Sequence, residues 1–151
     1  MSKTRTYKGF TLIEILVVVA LIAILTAITF IAINPAKNFA DTRNAQRSSD
    51  VTQILNAVTQ YTSEQGHTLV DLGTVPLCTA TPACIGTSVP LSCVDLAANL
   101  VDEYIVGIPK DPVVGTALDT GYTICQTAGG RVEITVPTAN QELGKVISVR
   151  R

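Results

Sequence analysis

The apolar run from Phe10 to Ile33 constrains this chain more than any other stretch. As a helix it is about 36 Å long at a rise of 1.5 Å per residue. That exceeds the roughly 30 Å hydrocarbon core of a bilayer. A chain of 151 residues with such a segment has room for one modest domain beyond it. One carboxylate, Glu14, sits inside the run. A charge at mid-membrane costs about 2.5–3.5 kcal/mol, and less near the edge. Glu14 must therefore reach the interface or find a partner.

A short leader precedes the run. Residues 1–9 hold Lys3, Arg5 and Lys8, no acid, and end in Gly9. Basic residues flanking a span stay cytoplasmic, so the C-terminal portion is expected outside. A secretory signal would have a 7–15-residue core with a small-x-small cleavage site after it. This core is longer, and the small residues Ala20 and Ala23 lie within it. Three of the 11 basic side chains fall in the leader. Without it, eight face 12 acidic ones, a side-chain net of −4. That balance argues against direct nucleic-acid binding.

Gly9-Phe10-Thr11-Leu12-Ile13-Glu14, running into an apolar helix, resembles the class III signal of type IV pilins and type II secretion pseudopilins. The resemblance is specific over about residues 8–34 and one of general layout beyond. It implies that a prepilin peptidase, a membrane aspartyl protease, cuts between Gly9 and Phe10. It implies N-methylation of Phe10 and an apolar helix that becomes the core of a filament. Glu14 would then neutralise the N-terminal amine of a neighbouring subunit. The implied partners are copies of this chain and other pilins in a helical filament, the peptidase, an inner-membrane assembly platform and the lipid bilayer. The implied location is a single-pass inner-membrane protein with a cytoplasmic N-terminus, later an extracellular or periplasmic filament. Many members carry a Pro or Gly inside the apolar stretch; here none occurs before Asn34-Pro35.

The expected organisation is a cleaved leader (1–9), a transmembrane and assembly helix (10–35) and an extracytoplasmic domain (36–151). Val51, Ile54, Leu55, Val58 and Tyr61 fall on one helical face. Arg43, Arg47 and Asp50 read as charges on other faces. One long helix is expected from Leu12 to Gln65, bent or briefly broken near Pro35 and ended by Gly66. Residues 66–93 read as loop. Ser92-Cys93-Val94-Asp95 reads as a capping box opening a short helix over 94–104, with Leu96, Leu100, Val101 and Tyr104 as its apolar face. Ile108-Pro109-Lys110-Asp111-Pro112 breaks the chain. Residues 121–126 and 131–136 alternate about Gly129-Gly130 as a β-hairpin, and Lys145–Val149 is a third strand. The fold class is α+β: a long N-terminal helix packed on a small antiparallel sheet of about three strands (121–150). That is the pilin layout. Pro109-Lys110-Asp111-Pro112 ahead of Gly121-Tyr122 is similar to a region common in pseudopilins.

Cys78, Cys84, Cys93 and Cys125 all lie past the span. An even count in a small outward-facing domain points to disulfides rather than metal, since no C-x2-C pair occurs. Three pairings are open; the preferred one joins Cys78 to Cys84 and Cys93 to Cys125. The single His67 reads as an exposed helix-end residue, and no P-loop, GxGxxG or HExxH occurs. Asp102-Glu103, neighbours on the expected helix, read as a solvated face. No enzymatic activity and no cofactor are expected. Some major pseudopilins bind calcium in a C-terminal loop, and Asp111 and Asp119 flank such a loop here. Calcium takes six to eight oxygens, and the solvated-turn reading is preferred.

Two functions follow: a structural subunit of a type IV pilus-like or pseudopilus filament, or a solitary membrane-anchored extracytoplasmic binding domain that does not polymerise.

Overall fold

The computed structural model describes residues 9–87 and 93–151. Lys3, Arg5 and Lys8 of the leader and Ser92 of the expected capping box lie outside them. The chain divides into two compact units between Asn38 and Phe39.

The first unit contains α1, Leu12–Ala32. Thr11 is its N-cap, and Thr11 and Glu14 form a reciprocal capping box. None of its 21 residues is buried. Its threonines hide their own polarity: Thr26 and Thr29 donate their hydroxyls to the carbonyls of Ile22 and Thr26, at 2.7 and 2.8 Å. Such back-bonding satisfies a hydroxyl without water. The helix ends at Ile33-Asn34, and α2, Pro35–Ser63, begins at once. Asn34 Oδ1 accepts the Lys37 N–H at 3.2 Å. Pro35 occupies the first helical position, where its missing N–H costs nothing. The expected single helix is thus two helices with a short break, and it stops at Ser63.

The second unit is built on α2. Its buried face runs through Ala40, Asn44, Arg47, Val51, Ile54, Val58 and Tyr61. The apolar stripe joins one core with Leu72, Ile85, Val94, Leu96, Leu100, Tyr122, Ile124, Ile134, Val136 and Ile147. The sheet has four described strands in the order β1-β2-β3-β4, all antiparallel: β1 Ala83–Cys84, β2 Thr123–Gln126, β3 Val132–Thr135 and β4 Ser148–Arg150. The β2–β3 hairpin turns through Ala128-Gly129-Gly130, closed by the Gly130 N–H on Thr127 O at 2.9 Å. Gly130 has φ +81°, the left-handed position that a three-residue hairpin loop assigns to glycine.

Three expectations need correction. The sheet has four strands rather than three, because Ala83–Cys84 pairs with β2 inside the stretch read as loop. That stretch also contains a 3-10 turn, Leu69–Leu72. The last strand begins at Ser148 rather than Lys145, whose N–H closes a turn on Glu142 O at 3.1 Å. The short helix α3 covers only Ala97–Leu100. Asp95 starts it by accepting the Ala97 N–H at 2.9 Å. Val101 then turns extended and Asp102 takes φ +75°, so Asp102-Glu103 lie in an exposed turn and not on a helix.

The cysteine pairing also differs from the preferred one. Cys78 bonds Cys125, and Cys84 bonds Cys93, with Cα–Cα distances of 5.0 and 4.5 Å. The backbone explains the choice. Cys78 N donates to Gln126 O, and Gln126 N donates to Pro76 O, which lays Cys78 beside Cys125. Val94 N donates to Cys84 O, and Gly86 N to Val94 O, which lays Cys93 beside Cys84. Each bridge staples segments that main-chain hydrogen bonds already hold together. Loop-closure entropy gives about 4 kcal/mol for the Cys78–Cys125 bridge, across a separation of 47, and about 2.6 kcal/mol for Cys84–Cys93, across 9. Peptide mapping of unreduced protein is expected to return these two links and no free thiol. Replacing Cys78 and Cys125 by serine should lower the unfolding midpoint more than replacing Cys84 and Cys93. The reverse order would contradict the entropic account.

Candidate functional site

Gly9 and Phe10, at the proposed cleavage junction, are both exposed. Phe10 is 85% exposed. A Cβ built on Gly9 meets nothing within 4 Å. Folding therefore makes no demand for glycine at position 9. Glu14 Oε2 accepts both the Thr11 N–H and the Thr11 hydroxyl at 2.8 Å, while the Glu14 N–H bonds Thr11 Oγ1 at 3.3 Å. The Thr-x-x-Glu pattern thus gives Glu14 a capping role beside that of a charge. Behind it, α1 has a mean hydropathy of 3.1 and is long and apolar enough to cross a membrane.

The second unit holds an ion cluster that periodicity missed. Arg47 is 1% exposed, not on a solvated face. Its guanidinium donates from Nε to Asp111 Oδ2 at 2.6 Å, from Nη2 to Asp111 Oδ1 at 3.2 Å and from Nη1 to Glu142 Oε2 at 2.6 Å. Arg43 makes a two-bond pair with the same Glu142 carboxylate. Asn44 Nδ2 holds the Glu142 carbonyl at 2.9 Å. Asp50, also buried, accepts the Tyr122 hydroxyl at 2.7 Å. One turn of α2 thereby fixes the Asp111 loop and the Glu142 loop. Gly115 closes the first of these tightly: a Cβ there would come within 2.6 Å of Asp111 N.

Both calcium candidates take part in hydrogen bonds within the chain. Asp111 spends both oxygens on Arg47, and Oδ1 also takes the Val113 and Val114 N–H groups at 2.8 and 3.1 Å. Asp119 accepts the Gly121 N–H at 2.8 Å. The metal-like grouping found among the described residues is Cys78, Cys125 and Glu133, and its two sulfurs are bonded to each other. His67 is exposed beside Tyr61, with ring centroids 4.4 Å apart.

The cluster titrates in opposing directions. Hydrogen bonds from Arg43 and then Arg47 pull Glu142 from the ordinary 4.5 to about 2. Burial alone would raise Asp111, but Arg47 and the two N–H groups outweigh it and hold the carboxyl low. Burial raises Asp50, against the Tyr122 hydrogen bond. Glu142 and Asp111 are depressed in the folded state, so they stabilise the fold above their unfolded values. That contribution fades as pH falls from about 4.5 toward 2. Asp50 works oppositely: its contribution is present at low pH and is lost as pH rises through its raised value. Urea midpoints are expected to fall between pH 5 and pH 2, and to fall less in Glu142→Gln. An equal acid slope in that variant would remove Glu142 from the account.

No curated protein and no solved structure matches the chain. Residues 4–30 match the family model described as the prokaryotic N-terminal methylation motif. The match covers the end of the leader, the Gly9-Phe10 junction, Glu14 and most of α1. This chain thus carries, at residues 4–30, the class III signal of type IV pilins and pseudopilins, set on a helix able to cross a membrane.

Proposed function

We propose that the protein is a structural subunit of a type IV pilus-like or pseudopilus filament, cut between Gly9 and Phe10, N-methylated on Phe10 and assembled through α1. One observation carries the reading: the matched signal leads directly into a membrane-length helix with no residue buried in its own chain. An apolar surface of that kind needs lipid or other copies of itself. The second unit has its own core and two disulfides, as suits a domain kept outside the cytoplasm. Gly9 supports the processing step, since the fold itself would accept a side chain there.

Mass spectrometry of the mature N-terminus tests the proposal, with methyl-Phe10 as the expected first residue. Gly9→Ala is expected to be partly processed, and a bulky residue at position 9 to block processing. An intact Met1 terminus, or one beyond Ala20, would overturn it. Loss of the leader with no sheared filament under any condition would leave the membrane-anchored domain instead.

A further inference from the structure

Within the second unit, the last turns of α2, the turn after α3 and the residue after β4 border a cleft of about 540 Å³. That volume lies in the roughly 300–1,000 Å³ range of small-molecule sites. Asn56, Gln60 and Glu64 of α2 face Glu103, Tyr104 and Arg151, and no aliphatic side chain joins the lining. The frame is held from outside. Tyr104 stands edge-on against the buried Tyr61, with ring centroids 5.7 Å apart and planes at 83°. A hydrogen bond to Glu64 pushes the Tyr104 hydroxyl up to about 12. Arg151 exchanges backbone hydrogen bonds with Val132 at 2.9 and 3.0 Å, and its Nη1 donates to Asn56 Oδ1 at 3.4 Å. The ion pairs among the described residues are those of Arg43 and Arg47, so Glu64, Glu103 and Arg151 line the cleft outside any ion pair. Two acids and one base, with Asp102 and Arg150 next along the chain, leave no strong field of either sign.

We propose that this cleft binds a neutral pyranose, either a free sugar or the end of a glycan chain. The inference concerns the second unit by itself and holds whether or not the protein polymerises. Three features select that chemistry. A sugar hydroxyl both donates and accepts, and the cleft offers carboxylates that only accept, a guanidinium that only donates and amides that do both. Planar forked groups of this kind grip two neighbouring polar atoms at once. A pyranose also has an apolar C–H face, and Tyr104 supplies the one aromatic surface in the lining, with its polar tip already turned to Glu64. The charges and the walls disfavour other ligands. An anion meets Glu64 and Glu103, a cation meets Arg151, and an apolar molecule finds no aliphatic wall.

Amide NMR of the full ¹⁵N-labelled chain tests the site, in lauryldimethylamine oxide, a detergent without a sugar headgroup. The probes are methyl glycosides of glucose, galactose, mannose and N-acetylglucosamine, and the matching linear trisaccharides. At least one glycoside should shift the Gln60 side-chain amide and the backbone amides of Tyr104 and Arg151, saturating at millimolar concentration. A trisaccharide that binds at least about threefold tighter assigns a glycan chain, and equal binding assigns a single ring. Gln60→Ala with Glu103→Ala, both exposed positions, should weaken binding about tenfold. Tyr104→Leu should weaken it about fivefold. Amides of the β2–β3 hairpin should stay in place in each variant, which separates lost binding from lost fold. No saturable shift from any glycoside or trisaccharide overturns the proposal. Equal shifts from glucitol, which has the hydroxyls and no ring face, overturn it as well. Tighter binding of tetramethylammonium than of every sugar overturns it and assigns the cleft to a cation.

Discussion

Arg47→Ala is expected to cost about 3–5 kcal/mol, the loss typical when one member of a buried ion pair is removed. The Asp111 side chain is 0% exposed and its main countercharge is Arg47. Without the guanidinium that carboxylate remains buried, with two backbone N–H groups as its remaining donors. A small domain holds about 5–15 kcal/mol in all, so the variant should be partly unfolded at 37 °C. Arg47→Lys should recover only part, because a lysine ammonium lacks the planar fork that reaches Asp111 and Glu142 together. Arg47→Met combined with Asp111→Asn should lose less than the sum of the single losses, since the stranded charge is gone while Asn can still accept from Val113 and Val114. Urea unfolding of the full chain in detergent, followed by far-UV circular dichroism, measures each of these variants and the two single substitutions of the pair. A loss under about 1 kcal/mol for Arg47→Ala would mean the pair is solvated in practice.

The position of Arg47 shows where sequence reading stops. The stripe Val51, Ile54, Leu55, Val58, Tyr61 was visible because apolar residues mark a buried face by themselves, and all five are buried. The same periodicity extends back through Arg47, Asn44 and Ala40. That extension is not legible in the sequence because a charged residue defaults to the surface, and the partners of Arg47, Asp111 and Glu142, are 64 and 95 residues away. The hairpin about Gly129-Gly130 was legible because its pairing is local. β1 was not: two residues carry no alternation, and only β2 makes them a strand. The disulfides were legible as a set and not as pairs, since the pairing follows from which distant backbones run side by side. The N-terminal signal was legible because its chemistry is written in consecutive residues. Its Thr11–Glu14 cap, equally local, gives the same carboxylate a second role.

Glu14→Ala is expected to abolish or sharply reduce filaments while leaving the protein in the membrane and its second unit folded. Insertion should survive because the span becomes more apolar. The second unit should survive because its core and disulfides involve no residue before Phe39. In a head-to-tail filament, contacts that do not close into a ring repeat without limit, and helices with little sidedness need something to set their register. The proposed pairing of the Glu14 carboxylate with the amine of a neighbour's Phe10 would supply it, because an unpaired charge in that setting is costly. The capping box offers a competing cause. Glu14 also ties down the Thr11 N–H, and losing such a cap costs about 0.5–2 kcal/mol, enough to fray the first turn. Glu14→Gln separates the two, since a capping box accepts Gln as well as Glu, whereas the charge is lost. If the charge sets the register, Glu14→Gln should fail as Glu14→Ala does, and Thr11→Val should assemble nearly normally. If the cap is what matters, Glu14→Gln should assemble and Thr11→Val should fail. Sheared-filament yield, normalised to membrane-fraction protein, reads the difference. Wild-type yield from Glu14→Ala at normal protein level would reject both roles and return Glu14 to a carboxylate that merely reaches the headgroups.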